Sequence, residues 1–409
     1  MAMTKKPVTG MKDILPEEMA VRNYCIGLIR DTYSRFGFSS IETPAVEHIG
    51  NLLSKQGGEN EKLIFKILKR GEKLDLSHET TEEAVTDSGL RYDLTLPLTR
   101  YYAAHASELP SPFKALQIGN VFRADRPQRG RYRQFTQCDI DILGDPSPLA
   151  EIDLILATTT VLTKLDFHGF TIRINDRKLL KRTAEKAGFN ESDFEKVFII
   201  LDKMDKIGWD GVRAELSESF PEETVSAYLA SFKNSGGEEV SEDDISLMNE
   251  TGSPLMTIIS AVNEVKSPDF RVVYDPTLVR GMGYYTGPIF EIAMDEFGGS
   301  VGGGGRYDEM IGKFTGQATP AVGFSIGFER IIMLLLERGF SVPDAAGKIA
   351  FLIDKNVPDA KLAGIFREAM ELRAEGKCVD IARMKKNKKF QKEQLASAGF
   401  EEIRECYAD

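Results

Sequence analysis

Five arginines fall within eleven residues of this chain, in Phe122-Arg123-Ala124-Asp125-Arg126-Pro127-Gln128-Arg129-Gly130-Arg131-Tyr132-Arg133-Gln134-Phe135. A proline and a glycine lie among them, which predicts a loop between two strands. Planar guanidinium groups match phosphate oxygens in pairs. The segment therefore reads as a polyphosphate clamp or as a solvated basic hairpin. A sixth arginine, Arg330, lies in Ala321-Val322-Gly323-Phe324-Ser325-Ile326-Gly327-Phe328-Glu329-Arg330, a strand turning into a helix with glycines that would let a ligand approach the backbone. No GxxxxGK[ST] loop occurs anywhere, so a nucleotide bound here is held by side chains and not by a glycine-rich turn. The four histidines, His48, His78, His105 and His168, stand outside these stretches and read as surface or packing residues.

The elements that must position these groups follow from periodicity. Ala20 to Tyr33 predicts an amphipathic helix and Phe36 to Ile41 a strand stopped near Pro44. Leu74 to Ser88 reads as a polar excursion from a hairpin. Arg91 to Leu96, Ala115 to Phe122 and Gln134 to Leu143 alternate as strands of one sheet. From Lys181 to Val265 the composition turns Lys/Glu/Asp-rich with helical spacing. Strand signals resume at Phe270 to Tyr274 and Ile289 to Met294, ahead of the glycines Gly302 to Gly305 and the helix Glu329 to Arg338. After a small-residue linker, Ala345 to Gly347, strands at Ile349 to Ile353, Cys378 to Ala382 and Glu402 to Cys406 alternate with helices at Ala360 to Ala374 and Phe390 to Ala398, a small α/β domain.

Bulk properties narrow the class. The longest apolar runs are far shorter than the roughly 20 residues of a membrane span, and Met1 to Pro16 lacks an apolar targeting core. The cysteines Cys25, Cys138, Cys378 and Cys406 form no metal-ligand spacing. A cytoplasmic, reduced setting without membrane attachment is expected. A net charge of -11 argues against indiscriminate nucleic-acid coating. From Gly347 onward, however, 13 Lys/Arg face 11 Asp/Glu, so the local balance is basic, with Arg383-Met384-Lys385-Lys386-Asn387-Lys388-Lys389 as its densest patch.

Ser34 to Pro44, the arginine hairpin and the Gly323 to Arg330 element resemble, in order and spacing, motifs 1, 2 and 3 of class II aminoacyl-tRNA synthetases. Leu278-Val279-Arg280-Gly281-Met282-Gly283-Tyr284-Tyr285-Thr286 and Gly303-Gly304-Gly305-Arg306-Tyr307-Asp308 resemble two peptides peculiar to the histidyl members and their paralogues. The resemblance runs from Gly10-Met11-Lys12-Asp13 to about Gly376. It implies an α+β fold: a class II catalytic domain built on an antiparallel sheet flanked by helices (1–180 and 267–344), a helical insertion (181–266) and a small α/β anticodon-binding-like domain (345–409). It implies ATP and Mg²⁺, L-histidine and tRNA(His) as ligands, and a homodimer formed through motif 1.

Residue by residue, the resemblance places Arg123 on the α-phosphate and substrate carboxylate, Asp125 at the adenine edge, Arg131 on the distal phosphates, Phe135 stacked on adenine and Arg330 against the nucleotide. Asp93, Thr95 and Gln137 would take the α-amino group, and Asp141 and Tyr285 the imidazole, with Tyr284 beside them. Arg280 would stabilise the α-phosphate, making it and Arg123 the catalytic pair. The chemistry agrees: a carboxylate attacking phosphorus needs positioning and cations, not a protein nucleophile, and an imidazole needs a polar partner at each nitrogen.

The chain departs from the family at Asp125 and Asp141, where glutamate is common, and at Gly283, where an acidic residue is common. Its C-terminal domain ends about one helix and one strand early. That last departure keeps open an alternative, a histidine-sensing paralogue resembling the regulatory subunit of ATP phosphoribosyltransferase. The arginine set Arg123, Arg131, Arg280 and Arg330 speaks for the ligase.

Overall fold

The computed structural model describes residues 3–53, 60–77, 81–126, 128–233, 235–280, 283–343 and 347–408. The chain divides into two compact units, Met1–Phe340 and Ser341–Asp409. Among the described residues no helix is long and apolar enough to cross a membrane.

In the first unit the strands run β1 (Ser39–Ser40), β2 (Val46–His48), β3 (Lys66–Leu68), β4 (Thr86–Leu90), β5 (Phe113–Phe122), β6 (Gln134–Leu143), β7 (Phe170–Asp176), β8 (Phe270–Tyr274), β9 (Pro288–Met294), β10 (Gly299–Arg306) and β11 (Ala321–Ile326). Eight of them form the central sheet in the order β1-β5-β6-β11-β10-β9-β7-β8. Its middle is antiparallel, while β1 with β5 and β7 with β8 pair in parallel. Parallel neighbours need a long crossover, and the β7-to-β8 crossover is the whole helical segment that begins with Arg177–Ala187 and ends with Leu255–Val265.

Side chains alternate across a strand. On β6, Cys138, Ile140 and Ile142 are buried on one face, and Gln137, Asp139 and Asp141 share the other. The helices Pro16–Arg35, Leu149–Lys164 and Phe328–Glu337 pack with β5, β6 and β11 and with one another. The segment between β7 and β8 has its own apolar core, with Leu180, Phe198, Leu216 and Tyr228, and that core continues into Leu278, Val279 and Ile289 beside the sheet.

Two expectations need correction. Arg91 to Leu96 is not a strand of the central sheet: β4 ends at Leu90, in a separate antiparallel sheet ordered β2-β4-β3. The Asp93 carboxylate accepts the Leu96 N–H at 3.1 Å as the helix Thr95–His105 begins. A side chain that satisfies a free helix N–H outweighs apolar alternation there. Of Phe36 to Ile41 only Ser39–Ser40 pairs, in parallel with Ala115 and Leu116. The helix Leu149–Lys164 and strand β7 were not anticipated.

The second unit is a parallel three-stranded sheet with β12 (Lys348–Ile353) between β13 (Cys378–Arg383) and β14 (Phe400–Cys406), accompanied by helices Asp359–Ala374 and Lys388–Ser397. Ile349, Phe351, Ala369 and Val379 form its core. In the basic patch Asn387 caps the second helix by accepting the Phe390 N–H at 3.1 Å, and Lys388 pairs with Glu405 at 2.6 Å, while Lys389 is largely exposed.

Candidate active site

The sheet register decides which side chains meet. Asp141 lies opposite Gly323, and Gly323 opposite Gly305. One step along, Asp139 faces Ser325, Ser325 faces Gly303, Gly303 faces Glu291 and Glu291 faces Arg173. The result is a polar face whose middle carries almost no side chains. A Cβ on Gly303 would strike the Arg280 guanidinium, one on Gly323 the Asp141 carboxylate, and one on Gly305 would lie 2.9 Å from the Tyr285 ring. The glycine run thus serves as a lowered floor over which larger side chains lie.

Above that floor are two adjoining cavities. The smaller, about 150 Å³, is lined by Asp93, Thr95, Arg123, Gln137, Asp141, Arg280, Tyr284 and Tyr285, the whole set expected for the amino acid. The larger, about 580 Å³, is lined by Arg123, Asp125, Arg131, Phe135 and Arg330, the set expected for the nucleotide, and again by Arg280. Arg123, Gln137, Arg280, Gly303 and Ser325 line both, so the two spaces meet at the arginines.

The electrostatics match an anion in one cavity and hydrogen-bond donors in the other. Burial, then the cations Arg131 and Arg280, lower the pKa of Arg330, with Arg123 adding to the effect and Glu291 opposing it. Guanidinium groups close enough to disfavour one another's charge form a site that a polyphosphate would relieve. Arg123 donates from Nε to the Tyr92 carbonyl at 2.8 Å and lies 5.1 Å from the Phe135 ring centre, which fixes both. Arg330 donates to the Ser300 carbonyl and sits 5.2 Å from the Phe297 ring centre.

In the smaller cavity Asp93, Asp139 and Asp141 are all buried. Burial pushes the Asp141 carboxyl up to about 7, against the Tyr307 hydroxyl, which donates to its Oδ1 at 2.6 Å and favours the ionised form. Burial likewise raises Asp93, and burial followed by the nearby Asp141 raises Asp139 well above the carboxylate range. Among the side chains that line this pocket, Asp141 Oδ2 and Gln137 Oε1 are buried without a protein hydrogen-bond partner. Buried acceptors left open in this way are costly, and here both belong to side chains lining the pocket. Tyr284 and Tyr285 lie 4.7 Å apart between ring centres, and Tyr307 meets Tyr284 edge-on at 6.1 Å.

Only part of the arginine hairpin reaches the cavity. Arg129 pairs with Glu337 at 2.7 Å and Arg133 donates to the Asp125 carbonyl at 3.1 Å, so these two stabilise the loop itself. Pro127, Gly281 and Met282 lie outside the described residues, as does His78. His105 pairs with Glu108 and is half-buried, His168 lies exposed between Asp166 and Asp269, and His48 is exposed on β2. Gly283 has open space where a Cβ would stand, so crowding does not require glycine there.

Tyr307, Asp139, Ser325 and Glu291 belong to the site but were not singled out from sequence. Asp139 was discoverable: it is two residues from both Gln137 and Asp141 on one strand, and period two places all three on one face. Tyr307 lies within a quoted peptide, but its partner depends on strand pairing that local spacing does not reveal.

A family model described as histidyl-tRNA synthetase matches residues 10–331. A histidine–tRNA ligase of Leifsonia xyli subsp. xyli is 44% identical over 417 residues, covering 98% of this chain and 95% of that protein. A histidine–tRNA ligase of Korarchaeum cryptofilum is 35% identical, with 95% of this chain and 88% of that protein covered. Among solved structures, a histidyl-tRNA synthetase from Nostoc sp. PCC 7120 superposes with a TM-score of 0.75 at 28% identity, covering 97% of this chain and 90% of that one. A Bacillus halodurans structure described as an ATP phosphoribosyltransferase regulatory subunit/histidyl-tRNA synthetase shares the fold, with a TM-score of 0.76 at 19% identity over 99% of each chain. With the class II catalytic fold in place and the family matched over most of its length, the chain belongs to the histidyl-tRNA synthetases.

Proposed function

We propose that this chain activates L-histidine with ATP to histidyl-adenylate and then passes the histidyl group to tRNA(His). The observation that carries the reading is the junction of the two cavities: unpartnered acceptors on Asp141 and Gln137 lie in a pocket that opens, past Arg123 and Arg280, onto the arginine-lined space.

In the first step a histidine carboxylate oxygen attacks the α-phosphorus, a P–O bond forms, and the bond to pyrophosphate breaks. Arg123 and Arg280, which line both cavities, hold the carboxylate and α-phosphate together and offset the charge that develops between them. Arg131 and Arg330 take the distal phosphates, Phe135 stacks on adenine and Asp125 meets its edge. Mg²⁺ bound to the triphosphate would supply further positive charge to it; among the described residues no group of three or more metal-ligating side chains stands ready to hold the ion alone. Asp93, Thr95 and Gln137 receive the α-amino group. Asp141 Oδ2 accepts a ring N–H, Tyr285 serves the other nitrogen and Tyr284 closes the side. In the second step a ribose hydroxyl at the tRNA end attacks the activated carbonyl and AMP leaves.

The same reading divides the chain into catalytic parts 1–180 and 267–344, a helical insertion 181–266 and an anticodon-binding-like domain 345–409, and pairs two copies through Ser34 to Pro44 in the cytoplasm. The test is ATP–pyrophosphate exchange by the purified protein with and without histidine and Mg²⁺. Histidine-dependent exchange is expected. Its absence in folded protein would turn the reading toward the histidine sensor.

A further inference from the structure

Arg280 sits in the loop that follows β8, and the sequence gives no reason for its long side chain to settle over Gly303 and not over any other part of the cavity. Its position has a visible cause. The Glu291 Oε2 accepts from Arg280 Nη1 at 3.2 Å, and Glu291 Oε1 accepts from Arg173 Nη1 at 3.3 Å, so each carboxylate oxygen serves a different arginine. Arg173 is fixed in turn: its Nε donates to Asp275, and its Nη1 to Asp205 at 3.0 Å. Asp275 lies five residues before Arg280 in the same loop, and it also accepts the Thr277 N–H at 2.9 Å.

The stretch from Asp275 to Arg280 is therefore held at each end by a neighbouring strand, Asp275 by Arg173 of β7 and Arg280 by Glu291 of β9, and these two residues are register partners. The Glu291 side chain is 17% exposed and that of Arg280 is 24% exposed, so the pair is partly shielded from solvent. Asp202 lines the same cavity from the helical segment, yet the carboxylate that accepts a hydrogen bond from Arg280 is that of Glu291.

We infer that Glu291 is a positioning residue for adenylate formation: it holds Arg280 over Gly303, braced by Arg173, so that the guanidinium already points to the α-phosphate position when substrates enter. The inference rests on the function proposed above. Glu291 itself touches neither reacting atom. Its loss frees Arg280 to sample other rotamers, which lowers the turnover of bound substrates more than their binding.

The experiment is ATP–pyrophosphate exchange by the full chain carrying Glu291→Gln, alone and combined with Arg280→Ala. Expected for Glu291→Gln is a fall in kcat of about tenfold or more, with KM for ATP and for histidine held within about threefold. Because Glu291 acts through Arg280, adding Glu291→Gln to Arg280→Ala should cost less than about twofold more. A full additional loss in the double variant, a change confined to KM, or wild-type kcat in Glu291→Gln would overturn the inference. If Glu291→Gln does not fold, Glu291→Asp serves in the same cycle, with a smaller loss of the same pattern expected. Wild-type protein lacking histidine-dependent exchange would instead defeat the functional reading on which this one rests.

Discussion

Replacing Asp141 by asparagine keeps the side chain's shape and its acceptor for the Tyr307 hydroxyl but removes a carboxyl that titrates. Asp141 is 2% exposed, and burial, opposed by the Tyr307 hydrogen bond, raises its pKa from the ordinary 3.8 to about 7. A shift of about three units corresponds to about 4 kcal/mol between the two protonation states. The folded value lies above the unfolded one, so this contribution to stability is fully present below about pH 4 and is lost as pH rises to about 7. Part is already gone at mildly acid pH. Between about pH 5 and about pH 8 the wild type should therefore lose about 2 to 3 kcal/mol more unfolding free energy than Asp141→Asn. Urea unfolding followed by the single tryptophan, Trp209, whose ring lies tilted 5.6 Å from that of Phe232 in the helical segment, measures both proteins at both pH values. Parallel pH profiles for the two would refute the argument, because they would mean that Asp141 is not ionising at a cost in the empty pocket. Saturating histidine at the upper pH should restore wild type more than the variant, since a ring N–H gives the unpartnered Oδ2 its donor.

Other outcomes follow from the same geometry. Arg280→Ala should reduce exchange by about 10² to 10³ while leaving the thermal midpoint close to wild type; near-normal turnover would remove Arg280 from the chemistry. Gly323→Ala places a methyl against the Asp141 carboxylate, and we expect the histidine KM to rise about tenfold or more with little change in the KM for ATP. An equal rise in both constants would mean that the floor is not specific to the smaller cavity. Tyr285→Phe should weaken discrimination among imidazole analogues in competition assays, and unchanged preferences would dismiss the hydroxyl as a reader of the ring.

Much of the site was legible because it is carried by short local patterns. Strand β6 could be read to its ends because polar and apolar residues alternate from Gln137 to Ile142, and Gln137 and Asp141 came with it. The strand-to-helix turn at Gly323 to Arg330 was equally local. Arg91 to Leu96 was misread because a capping carboxylate and an alternating strand residue look alike until the helix after them is seen. Glu291, Ser325 and Tyr307 were missed for a different reason. Their roles come from strands far apart in sequence lying side by side, as when Tyr307 on the loop after β10 meets Asp141 on β6. Periodicity reports which face a residue occupies; it does not report the neighbour across the ladder.

The glycines of β10 and β11 carry one more consequence. At Gly303, Gly305 and Gly323 the pocket's depth is set by hydrogen atoms where every other amino acid would bring carbon, so genetic change at these positions can only make the chamber shallower. Any redesign toward a bulkier amino acid must cut into the walls formed by Asp141, Tyr284 and Tyr285, because nothing remains to be removed from beneath.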